Sequence, residues 1–197
     1  MSRKGGRRAL RAALALAGAT ALALGVAPGA ALATQAGPGG SPGHGHGHGG
    51  SFTLPAGAPT PGDGYRIQAA YKVVSGVQTY KCLDTGVWDT ASTPEAQLAQ
   101  YDGRGRIHHY AGPRWTARDG STLLGAVATK VPQTGTIPWL LLTTTLEKGK
   151  PRQELSRVTH ISRVNTTGGV GPTGACTPGQ TQSVKYGADY VFWVPKA

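Results

Sequence analysis

The chain has 197 residues, 31 of them glycine and 14 proline, and carries 20 Lys and Arg against 9 Asp and Glu, a formal net charge of +11. Two cysteines exclude a disulfide-dense mini-protein, and the length allows a proper hydrophobic core.

Five of the basic residues, Arg3, Lys4, Arg7, Arg8 and Arg11, precede an apolar stretch from Ala12 to Val26. Ala31-Leu32-Ala33 then offers a small-x-small cleavage site, so residues 1–33 read as a signal peptide and the protein as secreted, extracellular or envelope-associated. The apolar run falls short of the roughly 20 residues that a membrane span needs, so no transmembrane anchor is expected after cleavage. Arg7-Arg8 also resembles a twin-arginine signal, although Arg11 interrupts its apolar end, and the choice of export route stays open. Cleavage after Ala33 leaves fifteen basic against nine acidic residues, a balance of +6. That modest value, without a recognition helix, an aromatic RNA-binding signature or a zinc finger, argues against specific nucleic-acid recognition.

Residues 34–64 are rich in Gly and Pro, with Phe52 and Leu54 as their only large apolar side chains. They read as a disordered linker, because so little burial cannot offset the ordering entropy. Within it, His44, His46 and His48 alternate with glycine, a pattern able to chelate a transition metal on a flexible backbone. No further cofactor is indicated.

Residues 65–197 read as one all-β domain. Tyr65, Ile67, Ala69, Tyr71 and Val73 alternate with mostly polar residues, and Ser75-Gly76 is expected to turn the chain into Val77–Cys82. Thr93-Pro94-Glu95-Ala96-Gln97-Leu98 is a candidate helical turn, with a Thr cap and Pro at the first position. Further strand-like runs follow at 106–110, 114–118, 122–130, 137–146 and 155–164. Turn chemistry at Asp102-Gly103, Asp119-Gly120 and Glu147–Pro151 separates them. At the far end Val184, Tyr186, Ala188, Tyr190, Phe192 and Val194 share one face. The expected architecture is a single antiparallel sandwich or barrel of about eight strands. In an oxidising compartment Cys82 and Cys176 form one disulfide, for which chain entropy gives roughly 4–5 kcal/mol.

The densest chemistry lies between Asp102 and Ser121, where Arg104, Arg106, His108, His109, Tyr110, Arg114, Trp115, Arg118 and Asp119 crowd together. On a strand His108 and His109 point to opposite faces, so one of them faces solvent. The run His109-Tyr110-Ala111-Gly112-Pro113, with Trp115 and Asp119-Gly120-Ser121, resembles a pattern in secreted bacterial and fungal proteins grouped only as a domain of unknown function. Gly76-Val77-Gln78, Ile137-Pro138-Trp139-Leu140-Leu141-Leu142, Arg163–Thr166 and Ala188–Phe192 are similar to further parts of that pattern. Family members commonly carry an acidic residue directly after the Trp; Thr116 stands there in this chain.

Three functional readings follow. The first is a non-catalytic module binding a glycan or anionic cell-envelope polymer through Tyr110, Arg114, Trp115 and Trp139, with Trp88, Arg104 and Arg118 nearby. The second is a secreted hydrolase with His109 as general base, oriented by Asp102 or Asp119, and Ser121 or Thr159 as nucleophile. No Gly-x-Ser-x-Gly or His-Glu-x-x-His motif accompanies it. The third is metal binding by His44, His46 and His48, assisted by His108, His109 or His160.

Overall fold

The computed structural model describes residues 52–197. The expected signal peptide at 1–33, the first part of the linker, and His44, His46 and His48 lie outside them. The described residues form eight strands and no helix: β1 Tyr65–Cys82, β2 Trp88–Gln100, β3 Arg106–Tyr110, β4 Arg114–Ala117, β5 Thr122–Val131, β6 Trp139–Lys148, β7 His160–Gly168 and β8 Thr181–Pro195. Each strand pairs with its sequence neighbour, and β8 pairs with β1, so the antiparallel meander closes into a barrel. Closure gives every strand a partner on both sides, and eight strands enclose an interior that is either filled by side chains or able to hold one small ligand.

Successive turns of such a meander alternate between its two ends. The β2–β3, β4–β5 and β6–β7 connections share one end with both barrel termini. The β1–β2, β3–β4, β5–β6 and β7–β8 connections share the other, the mouth. The first end is plugged. The β6–β7 loop folds inward there with Leu155 and Val158 buried, and Tyr71 Oη donates to Glu154 Oε1 at 2.6 Å. Above it Tyr71, Leu98, Ile107, Leu123, Ile161 and Phe192 pack the interior.

Three local expectations change. The alternation of β1 is broken by an irregularity between Ile67 and Ala69, so Tyr65 and Ile67 lie on the outer wall while Ala69, Tyr71 and Val73 face inward. Ser75-Gly76 is no turn. β1 runs through it with a second irregularity, and Gly76 is needed because a Cβ there would stand 2.8 Å from Tyr186 Cε1. Thr93–Leu98 is not helical but part of β2, with Pro94 opposite Gln78. The proline is tolerated because β3 pairs with β2 only as far as Ala96, so no neighbour on that side requires an N–H from residue 94.

The last part of the expected linker is also ordered. Phe52, Leu54 and Ala58 pack on an outer cluster of Ala70, Val164, Val191 and Trp193. Ser162 Oγ donates to the Pro59 carbonyl at 2.6 Å and accepts from Trp193 Nε1 at 2.9 Å. The outer face of β7, β8 and β1 is apolar, and this strap covers it. A chain starting at residue 65 is expected to lose about 2–3 kcal/mol relative to one starting at residue 52, on the burial of two large apolar side chains and their partners. Urea unfolding of the two chains tests this, and a loss under about 0.5 kcal/mol would reduce the strap to a passive surface segment.

Candidate functional site

The mouth end of the barrel holds a cavity of about 460 Å³. Gln78 and Tyr80 of β1, residues 90–94 of β2, the β3–β4 turn at 111–113, Val127 and Lys130 of β5, and Ile137, Pro138, Leu140 and Leu142 contribute to its wall, with Arg163 of β7. Its inner limit is an aromatic layer in which His109 stacks on Trp115, with ring centres 4.5 Å apart and planes 8° from parallel. Tyr190 closes on both, at 5.1 Å from His109 and 6.0 Å from Trp115. Trp115 fits because β5 carries glycine beside it; a Cβ on Gly125 would stand 2.7 Å from Trp115 Cζ3.

The strand period places His109 inside and His108 outside. His108 Nε2 meets Glu95 Oε1 at 2.6 Å on the exposed face, whereas His109 is 2% exposed. His109 Nδ1 lies 2.8 Å from the Arg114 carbonyl, which can only accept, so Nδ1 carries the proton. Burial pushes the His109 pKa down to about 3, against the raising effect of that hydrogen bond. The neutral ring therefore keeps a lone pair on Nε2, which has no partner among the described residues. Because the unfolded chain takes up this proton near pH 6.5 and the folded chain only near pH 3, stability is complete above pH 6.5 and falls as the pH drops through that window. Urea unfolding should show His109 costing about 2 kcal/mol between pH 7 and pH 5. His109→Phe should flatten that slope; an unchanged slope would mean that His109 titrates normally.

Other polar groups of the wall are also unpaired. Gln78 is 2% exposed, its Oε1 accepts from Ser92 Oγ at 2.6 Å, and its Nε2 has no partner among the described residues. Trp115 Nε1 likewise has none. Arg163 donates through Nε and Nη2 to the Pro138 carbonyl, at 3.2 and 2.8 Å. No Asp or Glu lines the cavity, while Lys130 and Arg163 do. Ile137, Leu140 and Leu142 give it an apolar side.

The residues expected to form a binding surface do not converge. Trp115 is buried, and Trp139 packs on the outer cluster beneath the strap. Tyr110 stacks on His108 outside the barrel. Arg114 forms a two-point ion pair with Glu147, Nε to Oε2 and Nη2 to Oε1, both at 2.7 Å. Nor does the hydrolase constellation assemble. Asp102 and Asp119 sit in turns at the plugged end, away from the mouth beside His109. Asp102 Oδ1 accepts from the Arg104 N–H at 2.9 Å. Asp119 Oδ1 accepts from Ser121 Oγ at 2.6 Å and its Oδ2 from the Glu154 N–H at 2.7 Å, while Ser121 Oγ accepts from the Leu155 N–H at 3.2 Å. Desolvation disfavours the Asp119 carboxylate, yet the hydrogen bonds from Ser121 and Glu154 hold its pKa below the ordinary value. Asp119 and Ser121 thus clasp the plug loop. Thr159 Oγ1 contacts its neighbour His160 Nδ1 at 3.0 Å, and no group of three or more potential metal ligands occurs among the described residues.

Sequence reasoning singled out His109 and Trp115 but missed Gln78, Lys130 and Arg163 as parts of one wall. Their separation in the chain left no local signal.

A family model described as "Protein of unknown function (DUF3455)" matches residues 64–194, a span that includes the His109–Pro113 and Ile137–Leu142 runs. No curated protein and no solved structure matches the chain.

Proposed function

The chain belongs to this DUF3455 family of unknown function, and from that premise we propose an exported, non-catalytic binding protein that holds a small, partly apolar anion in the mouth of its barrel. One observation carries the reading: the cavity of about 460 Å³ has an apolar side, two cationic side chains and no carboxylate. Its volume falls among ordinary small-molecule sites. Export is supported by the signal-like N-terminus and by the Cys82–Cys176 disulfide, which suits an oxidising compartment.

A free anionic molecule, or the acidic end of an envelope polymer, suits this cavity better than an extended chain laid over the surface. Sugar stacking needs an open aromatic face, and Trp115 has His109 stacked on its ring. Catalysis is disfavoured, because among the described residues His109 bonds only to the Arg114 carbonyl and to neither a carboxylate that would orient it nor a hydroxyl it could activate.

Titration with the apolar anion anilinonaphthalene sulfonate tests the proposal by fluorescence. Saturable binding is expected, weakened about tenfold by Lys130→Glu at the mouth, worth ~1.4 kcal/mol, and unchanged by Lys148→Glu at the plugged end. Absence of saturation, or equal effects of the two substitutions, would refute it.

A further inference from the structure

We propose that the mouth cavity selects apolar acids that carry a hydroxyl group, the hydroxyl donating to His109 Nε2 while the acidic group lies toward Lys130 and Arg163. The inference rests on the mouth being a binding site and adds what it discriminates.

The argument is a count of donors and acceptors. His109 offers only a lone pair to the cavity, because its single ring proton is committed to the Arg114 carbonyl. A plain carboxylate or a hydrocarbon chain has no proton to give, and a ligand of that kind would leave Nε2 dry and unpaired. An amine would supply the proton, but its positive charge meets Lys130 and Arg163 without any carboxylate in the wall to balance it. A hydroxyl supplies the proton with no charge.

Gln78 and Trp115 line the same wall, but Gln78 Nε2 and Trp115 Nε1 are themselves shielded from the cavity and have no acceptors among the described residues, so the ligand's hydroxyl answers to His109 alone. One fixed acceptor thus stands in the wall beside Ile137, Leu140 and Leu142. Sites built to hydrogen-bond a ligand hydroxyl discriminate strongly against the analogue that lacks it, because the buried partners are then left unsatisfied.

Calorimetric titration of the full exported chain with two matched pairs gives the test: decanoate against its beta-hydroxy counterpart, and phenylpropanoate against its para-hydroxy counterpart. In at least one pair the hydroxylated member is expected to bind about tenfold more tightly. His109→Phe should shrink that preference. Nitrogen NMR of the unaltered protein provides a readout independent of variant folding. The His109 Nε2 resonance should move on adding the preferred hydroxylated acid and stay in place with its parent. Equal binding within both pairs, or an unmoved resonance, would overturn the hydroxyl inference while leaving the binding site standing. If no member of either pair binds and the sulfonate probe also fails, the site itself falls.

Discussion

Replacing Cys82 and Cys176 together by serine should lower the unfolding midpoint by roughly 15 °C, corresponding to a loss of about 4–5 kcal/mol. The bond joins residues 94 apart in sequence, so its removal frees a long loop in the unfolded chain. Its place in the native barrel adds a local consequence. Around it the Cys82 N–H donates to Gln180 O at 2.7 Å, the Cys176 N–H to Gly86 O at 3.0 Å, and Val87 bridges Ala175. The disulfide therefore fastens the β1–β2 turn to the long β7–β8 loop at the mouth. Next to it Tyr80, whose ring lines the cavity, donates to Gly169 O at 2.6 Å. Calorimetric melts of the wild type and the double-serine chain measure the loss. A midpoint shift under about 3 °C would show that the bond does not staple the fold.

Trp115→Ala should cost about 3–5 kcal/mol, the range for removing a buried aromatic side chain from a packed interior. Trp115 is 1% exposed, stacks on His109, meets Tyr190 edge-on and fills the space that Gly125 leaves open. Arg114→Ala, one residue away, should leave stability nearly unchanged, because its pairing with Glu147 lies on the surface. The contrast reverses what an exposed aromatic-and-basic binding surface would give, where both truncations would affect ligand retention with little effect on stability. Loss of binding in Trp115→Ala therefore reports loss of the cavity's inner layer as much as loss of a contact. Urea unfolding of both variants decides the matter, and a cost below about 1 kcal/mol at Trp115 would remove it from the core.

Where strands are regular, their residues could be read directly. In β8 the predicted face of Tyr186, Ala188, Tyr190, Phe192 and Val194 is the inner face. The opposite placement of His108 and His109 follows from the same period of two. The single disulfide was legible because only two cysteines exist to pair. Reading failed where one extra residue shifts that parity. In β1 an irregularity after Ile67 divides an apparently single apolar face between the barrel interior and its outer wall, and a second converts the Ser75-Gly76 turn signal into continuous strand. Thr93–Leu98 followed helix-start rules, but pairing with β1 over those residues outweighs a local capping preference.

The amino-acid sequence by itself determined the all-β class, the turns at Asp102-Gly103 and Asp119-Gly120, the pairing of the two cysteines and the inward side of the last strand. These depend on neighbours within a few residues, or on there being one possible partner. Only the tertiary structure decided that the sheet closes β1 against β8, that Trp115 is buried beneath His109, that Asp119 and Ser121 clasp a plug, and that Gln78, His109, Lys130 and Arg163 share one wall. Those outcomes depend on pairing and stagger between strands far apart in the chain. A barrel acquires an inside, and therefore a cavity, only when its last strand meets its first.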